Sequence, residues 1–227
     1  MTDVAQNIQN IRTLIPQGVR LVAVSKTKPS SMIQQAYDAG QRNFGENKAL
    51  EMRDKHQVLP ADIQWHFIGH LQTNKIKYII PYVSLIHSID SLPLLQAVDK
   101  EAVKHQRIVD CLLQFHIAQE ETKFGLDLAE AEQLLSHYGE LSHVRLVGVM
   151  GLATNTDDQD QVRREFRNLH SIFDDLQARY FHDNPSFKEI SMGMSHDWQV
   201  AVQEGSTIIR LGSSIFGARD YSINPND

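Results

Sequence analysis

Lys26 closes the apolar run Arg20-Leu-Val-Ala-Val-Ser-Lys26, and Pro29 ends the segment soon after. Such a run reads as a buried strand, so the amine at its carboxyl end enters a largely dry site. Desolvation disfavours the ammonium form and lowers its pKa, which turns a lysine into a nucleophile toward carbonyls. The other reading is a lysine that lays its stem on apolar surface and keeps its head in water. Further along, Ser191-Met-Gly193-Met-Ser195 leads into a helix starting near His196-Asp197-Trp198, and Gly212-Ser213-Ser214 forms a second turn of small residues. Small residues admit an anion close to the backbone, while amides at a helix start and serine hydroxyls supply donors. Each turn would equally serve as a plain helix N-cap. Arg210 alternates with Ile209 and Leu211, so it faces the other side of its strand. Its guanidinium only donates, and against a pyridine nitrogen it would keep that nitrogen unprotonated. Alternatively it pairs at the rim with Asp197 or Glu204. An amine opposite two phosphate-type turns suits a ligand with one carbonyl and one phosphate.

The elements that must position these residues recur as strand followed by helix. Strands are expected at 20–26, 43–47, 63–69, 85–90, 108–117, 144–152, 189–193 and 207–212. Helices are expected at 30–39, 48–56, 73–80, 92–105, 128–138, 158–180 and 196–204, with one more at about 3–14. Strict alternation implies a parallel sheet, and this many units imply an α/β fold: a single (β/α)8 TIM-type barrel with an extra N-terminal helix, one domain over residues 1–227. A doubly wound open sheet is the alternative. Barrels of this kind place chemistry at the carboxyl ends of strands and phosphate after the last two. Those ends carry Lys26, Glu46-Asn47, His66 to Gly69, Ser88 to Asp90, Met150-Gly151, Ser191 to Ser195 and Arg210 to Ser214.

Bulk composition narrows the function classes. At 227 residues, with 41% hydrophobic and 22% charged residues, the chain has material for a real core. A net charge of −6 without a dense Lys/Arg run argues against a general nucleic-acid binder. Cys111 sits inside an apolar run and is expected to be a small core residue. No basic-then-apolar leader opens the sequence and no apolar stretch is long enough to span a bilayer, so the cytoplasm is the expected location. The 11 histidines lack ligand spacing: His66 and His70 bracket a strand end, and no metal is expected. Asp157-Asp158 and Glu120-Glu121 read as solvated loops or caps. Val162, Phe166, Leu169, Phe173 and Leu176 form a core-facing helical stripe.

The motifs taken in order carry a further signal. Val22-Ala-Val-Ser-Lys26-Thr-Lys-Pro29, Phe44-Gly-Glu-Asn47, the stretch from Trp65 to Lys75, His87-Ser-Ile-Asp90, Lys123-Phe-Gly125, Ser191-Met-Gly-Met-Ser195 and Ile209-Arg-Leu-Gly-Ser213 follow one another. Together they closely resemble the YggS-type pyridoxal phosphate homeostasis proteins, relatives of the amino-terminal barrel of alanine racemase, from about residue 8 to Tyr221. The resemblance implies a barrel binding pyridoxal 5′-phosphate as an internal aldimine with Lys26. It implies Ser191, Gly193, Gly212 and Ser213 around the phosphate, Arg210 facing the pyridine nitrogen, and Asn47, His66, Ser88 and Met150 lining the ring pocket. Ser213 stands where relatives often carry Thr, which keeps the hydroxyl.

Two functions compete on that footing: a non-catalytic holder that buffers the cofactor within vitamin B6 and amino-acid homeostasis, and an amino-acid racemase. Arg210 opposes protonation of the ring nitrogen, which weakens the electron sink. The resembling racemases also draw a second proton-transferring residue from an additional domain that this chain is not expected to contain. The holder is therefore the expected function, with no catalytic residue. An aldolase-type enzyme using Lys26 is a third possibility. The expected partners are the cofactor and the apo-enzymes that receive it, with no nucleic acid or membrane, and the chain is expected to be a monomer.

Overall fold

The computed structural model describes residues 3–120 and 124–218. Among them, eight parallel strands close into a barrel in sequence order: β1 (Arg20–Val24), β2 (Asn43–Glu46), β3 (Gln64–Phe67), β4 (Leu85–Ile89), β5 (Val109–Phe115), β6 (Val144–Gly151), β7 (Glu189–Ser191) and β8 (Ile208–Leu211). The helices are α1 (Val4–Leu14), α2 (Ser30–Asp38), α3 (Ala49–Val58), α4 (Leu92–Lys104), α5 (Leu128–Tyr138), α6 (Gln159–Tyr180), α7 (Trp198–Gln203) and α8 (Ser213–Phe216). The expected (β/α)8 barrel with an added N-terminal helix is what forms, not the open sheet. The ring is closed by β1 against β8, in a register that sets Val22 beside Arg210 and Ala23 beside Leu211.

Strands covered on both faces need apolar residues on both, and β1 is buried from Leu21 to Val24. Leu21, Ala23 and Phe44 point outward into the layer under the helices, whereas Val22, Leu85, Leu112, Val147, Met150 and Ile208 form a separate apolar cluster in the lumen. The long helix α6 buries the expected stripe Val162, Phe166, Leu169, Phe173 and Leu176. Its N-cap, Asp158, accepts from the amides of Asp160 and Gln161. A full capping box, Asp127 with Glu130, opens α5. The β5–β6 ladder shifts between Cys111 and Leu112, and Gly148 sits there at φ 152°. A Cβ at Gly148 would lie 1.8 Å from the Glu189 carbonyl oxygen, so only glycine lets β6 and β7 approach.

Several elements are shorter than the sequence suggests. The β1 ladder stops at Val24, because the chain turns with Lys28 N–H donating to Ser25 O and Thr27 held at φ 64°. Lys26 is therefore in the loop after the strand, one turn above its end. Residues 73–80 form a short 3₁₀ helix over Thr73–Tyr78, in which only Ile76 is buried, leaving no stripe to dock longer α-helical turns. The last expected turn is partly helical, as α8.

Candidate functional site

A half-open cavity of about 390 Å³ lies at the carboxyl end of the barrel. Its wall includes Lys26, Lys28, Met194, Ser195, Arg210, Gly212 and Ser213, with Val24, Ile68 and Leu152 as apolar flanks. The two loop lysines are placed differently. Lys28 Nζ donates to the carbonyls of Phe216, Gly217 and Ala218 at 2.8–3.2 Å, which caps α8 with a cation and ties the β1 loop to the β8 turn. Lys26 is half-buried in the cavity wall.

The β8 turn offers backbone donors. Within α8 the amides of Ile215 and Phe216 are taken by Gly212 O, leaving those of Ser213 and Ser214 as first-turn donors without an intrahelical partner. Ser195 Oγ accepts from Gly212 N–H at 3.3 Å and joins the two turns. The β7 turn is closed from within: Asp197 is buried and accepts from Met194 N–H, while Asp197 and Trp198 amides donate back to Met194 O. Helix α7 starts only at Trp198. Gly193 has φ 97°, and a Cβ there would lie 2.7 Å from Ala201 Cβ. Glycine at 193 therefore seats α7 against the barrel, and its carbonyl accepts from Arg210 N–H at 2.9 Å.

Arg210 is 4% exposed, with Nη1 donating to Ser191 Oγ and Nη2 to Gly151 O at 3.1 Å. The rim pairings do not occur: Asp197 serves its own turn and Glu204 pairs with Arg163 and Arg167. Among the described residues no carboxylate reaches Arg210 within ion-pair distance. Burial pulls its pKa down to about 10, which leaves it a cation near neutral pH.

Arg210 also heads a chain of polar contacts through the lumen. Ser191 Oγ lies 2.8 Å from His87 Nδ1, His87 Nε2 lies 2.8 Å from His66 Nδ1, and His66 Nε2 lies 3.1 Å from Asn43 Oδ1. With Asn43 Oδ1 as the acceptor at the far end, His66 donates from Nε2 and accepts at Nδ1 from His87 Nε2, so His87 Nδ1 accepts the Ser191 hydrogen. Both rings are neutral: burial holds His66 down to about 3 and, aided by neighbouring His66 and Arg210, holds His87 well below the ordinary value.

Of the residues marked in the sequence, Lys26, Arg210, Gly212 and Ser213 share this cavity wall, Ser191 lies beneath it under Arg210, and Gly193 lies behind it. The other four are elsewhere. Asn47 lines a neighbouring cavity of about 280 Å³ with Lys48, His70 and Lys75. His66 opens onto a cavity of about 510 Å³ at the amino end of the barrel, with Arg20, Asn43 and Gln64. Met150 belongs to the apolar lumen cluster, and Ser88 is buried with its hydroxyl unpartnered among the described residues. Glu121, Lys123 and Tyr221 lie outside the described residues.

Three features escaped the sequence reading. His87, not Ser88, faces the lumen chain, because the β4–β5 register shifts between Ile86 and Ile89 and hides the alternation. Lys28 lines the wall although nothing in its type announced it, and Met194 joins it from within the marked Ser191 to Ser195 turn. Beneath the Lys26 loop, Lys55, Glu46 and Glu51 form a buried charge cluster. Among the described residues no group of three or more His, Cys, Asp or Glu could hold a metal, and no helix is long and apolar enough to cross a membrane.

Comparison with known proteins adds independent findings. Residues 1–220 match the family model of the alanine racemase N-terminal domain. The chain is 39% identical to the pyridoxal phosphate homeostasis protein of Aquifex aeolicus, over 89% of this chain and 88% of the relative. It is 36% identical to that of Escherichia coli, over 98% and 99% respectively. Among solved structures it resembles PipY of Synechococcus elongatus with PLP bound, at TM-score 0.84 and 34% identity, covering 94% of this chain and all of that one. An alanine racemase from Clostridium difficile shares the fold at TM-score 0.76 and 14% identity, with 96% of this chain matching 60% of that one.

Proposed function

Because this chain belongs to the alanine racemase N-terminal domain family, and matches pyridoxal phosphate homeostasis proteins over most of its length, we propose that it holds pyridoxal 5′-phosphate covalently on Lys26, catalyses no reaction of its own and contributes to vitamin B6 and amino-acid homeostasis. The observation that carries this is one cavity wall bearing Lys26, the buried cation Arg210 and the open amides of the Gly212 turn. Among the described residues the buried guanidinium has one hydroxyl and one carbonyl as acceptors, which fits a ligand that supplies another lone pair. When bound, the cofactor supplies an aldehyde for an amine to capture and a ring that can draw electrons. Lys26 provides the amine. The Ser213 and Ser214 amides, with the Ser195 and Ser213 hydroxyls, hold the phosphate. Arg210 donates toward the ring nitrogen and keeps a proton off it, which favours holding over carbanion chemistry. Lys28 keeps the turn in place through three carbonyls.

Apo-enzymes that need the cofactor would be the recipients. Adding pyridoxal phosphate should give a yellow protein whose colour borohydride bleaches, and Lys26→Ala should abolish the adduct with the fold retained. Racemase assays on common amino acids should stay at background; turnover at ordinary enzyme rates would make the chain an enzyme instead.

A further inference from the structure

The turn that carries Lys26 is anchored on both sides by one buried charge cluster. On one side, Lys55 Nζ donates to Ser25 O at 2.8 Å, and Ser25 Oγ donates to Glu46 Oε1 at 2.6 Å. On the other, Thr27 N–H donates to Glu51 Oε1 at 2.6 Å. The Lys55 ammonium also donates to Glu46 Oε1 and Glu51 Oε1, each at 2.7 Å, so its three hydrogens are all used. Its side chain is only 8% exposed and that of Glu46 is fully buried.

Such a cluster is an expensive way to join α3 to β2, since apolar packing would stabilise the same contact as well. It also holds Thr27 at φ 64°, a conformation that β-branched residues adopt only when their surroundings enforce it. Charge and backbone strain thus meet at the two neighbours of Lys26. We propose that Glu46, Glu51 and Lys55 are positioning residues for Lys26: by tethering Ser25 and Thr27 they set the direction of the amine and the rate at which it captures an aldehyde. This rests on the reading of Lys26 as the cofactor's anchor. In that capture the amine nitrogen adds to the carbonyl carbon, a C=N bond forms, and the carbonyl oxygen leaves as water with two protons.

The cluster has two carboxyl groups to one ammonium, and Glu46 Oε2 has no hydrogen-bond partner among the described residues. Burial pushes the Glu46 carboxyl up to about 7 against the pull of Lys55, and Glu51 pushes the same way. Among the described residues the one further ionisable group facing Glu46 is Tyr82, which in turn faces Arg53 and Asp54 on α3. Capture by Lys26 should therefore show a pH inflection that Glu46→Gln removes.

The test compares wild type, Glu51→Gln, Lys55→Arg, Lys55→Met and Glu46→Gln by two rates. One is formation of the borohydride-reducible adduct with pyridoxal phosphate. The other is reductive methylation of Lys26 in cofactor-free protein by formaldehyde with cyanoborohydride as the hydride donor, read by mass spectrometry. Glu51→Gln should slow both about tenfold, the scale of one lost charge-assisted hydrogen bond, with a native circular dichroism spectrum. Lys55→Arg should retain more of the rate than Lys55→Met. If Glu51→Gln keeps both rates within about twofold of wild type and the pH profile is unmoved by Glu46→Gln, the cluster only builds the fold. If wild type forms no cofactor adduct yet Glu51→Gln still slows methylation of Lys26, the positioning stands and the cofactor assignment falls.

Discussion

Arg210 is held in the lumen by one hydroxyl and one carbonyl, and everything else around it is arranged so that it stays a donor. Ser191 turns its hydrogen toward His87, which is neutral and can accept it. Removing the hydroxyl should therefore loosen the guanidinium, not discharge it. Ser191→Ala should weaken retention of pyridoxal phosphate by roughly tenfold, measured as the off-rate of the coloured complex. Arg210→Met should weaken it further and change the absorbance of the bound cofactor. An Arg210→Met protein with unaltered absorbance and off-rate would remove this residue from the site. Lys28 gives a different expectation: its three carbonyl contacts make it a brace for α8, so Lys28→Met should weaken phosphate binding without moving the covalent attachment point, which peptide mapping would check.

At the level of elements, the strand ends decide what meets in the cavity. That Lys26, Arg210, Gly212 and Ser213 share one wall was legible because β1 and β8 are adjacent across the closure, and the barrel rule brings the loops after neighbouring strands together. Asn47 and Ser88, which the resemblance places about the cofactor ring, lie away from this wall: β4 shifts register against β5, and Asn47 stands beyond Glu46 and lines the cavity beside α3. His66 shows the limit from the other side: its parity faces the lumen, but its ring bonds down to Asn43 at the amino end. The Lys55 cluster depends on contacts between β2, α3 and the loop after β1, which no local pattern encodes. Helix α6 is the opposite case, read correctly from spacing alone. Leu169 is fully buried at the centre of its stripe, so Leu169→Ala should cost about 2–5 kcal/mol in urea unfolding. Gly148→Ala should be worse than its size suggests, because the new methyl meets a backbone carbonyl and not a side chain that can move.

For the whole molecule, stability against pH follows from three buried groups. In the unfolded chain His66 and His87 take up protons below about 6.5, whereas the folded barrel holds both neutral. Each therefore removes about 1.4 kcal/mol of stability per pH unit below that value. Glu46 acts in the opposite sense: its folded pKa is raised to about 7 from 4.5, so its contribution is fully present below 4.5 and lost as pH rises through 7. Between those limits two protons oppose one, and stability should fall by about 1.4 kcal/mol per unit on acidification below pH 6.5. Urea midpoints between pH 5 and 7 would check this; stability that rises steadily on acidification would contradict neutral histidines in the lumen.

The central claim is that this barrel carries its cofactor on one particular amine. Protein incubated with pyridoxal phosphate, reduced with borohydride and digested should show the pyridoxyl mass increment on the peptide containing Lys26, and the Lys26→Ala protein should show none. An increment on Lys28 or on a surface lysine, or an unmodified Lys26 in a protein that has turned yellow, would contradict it.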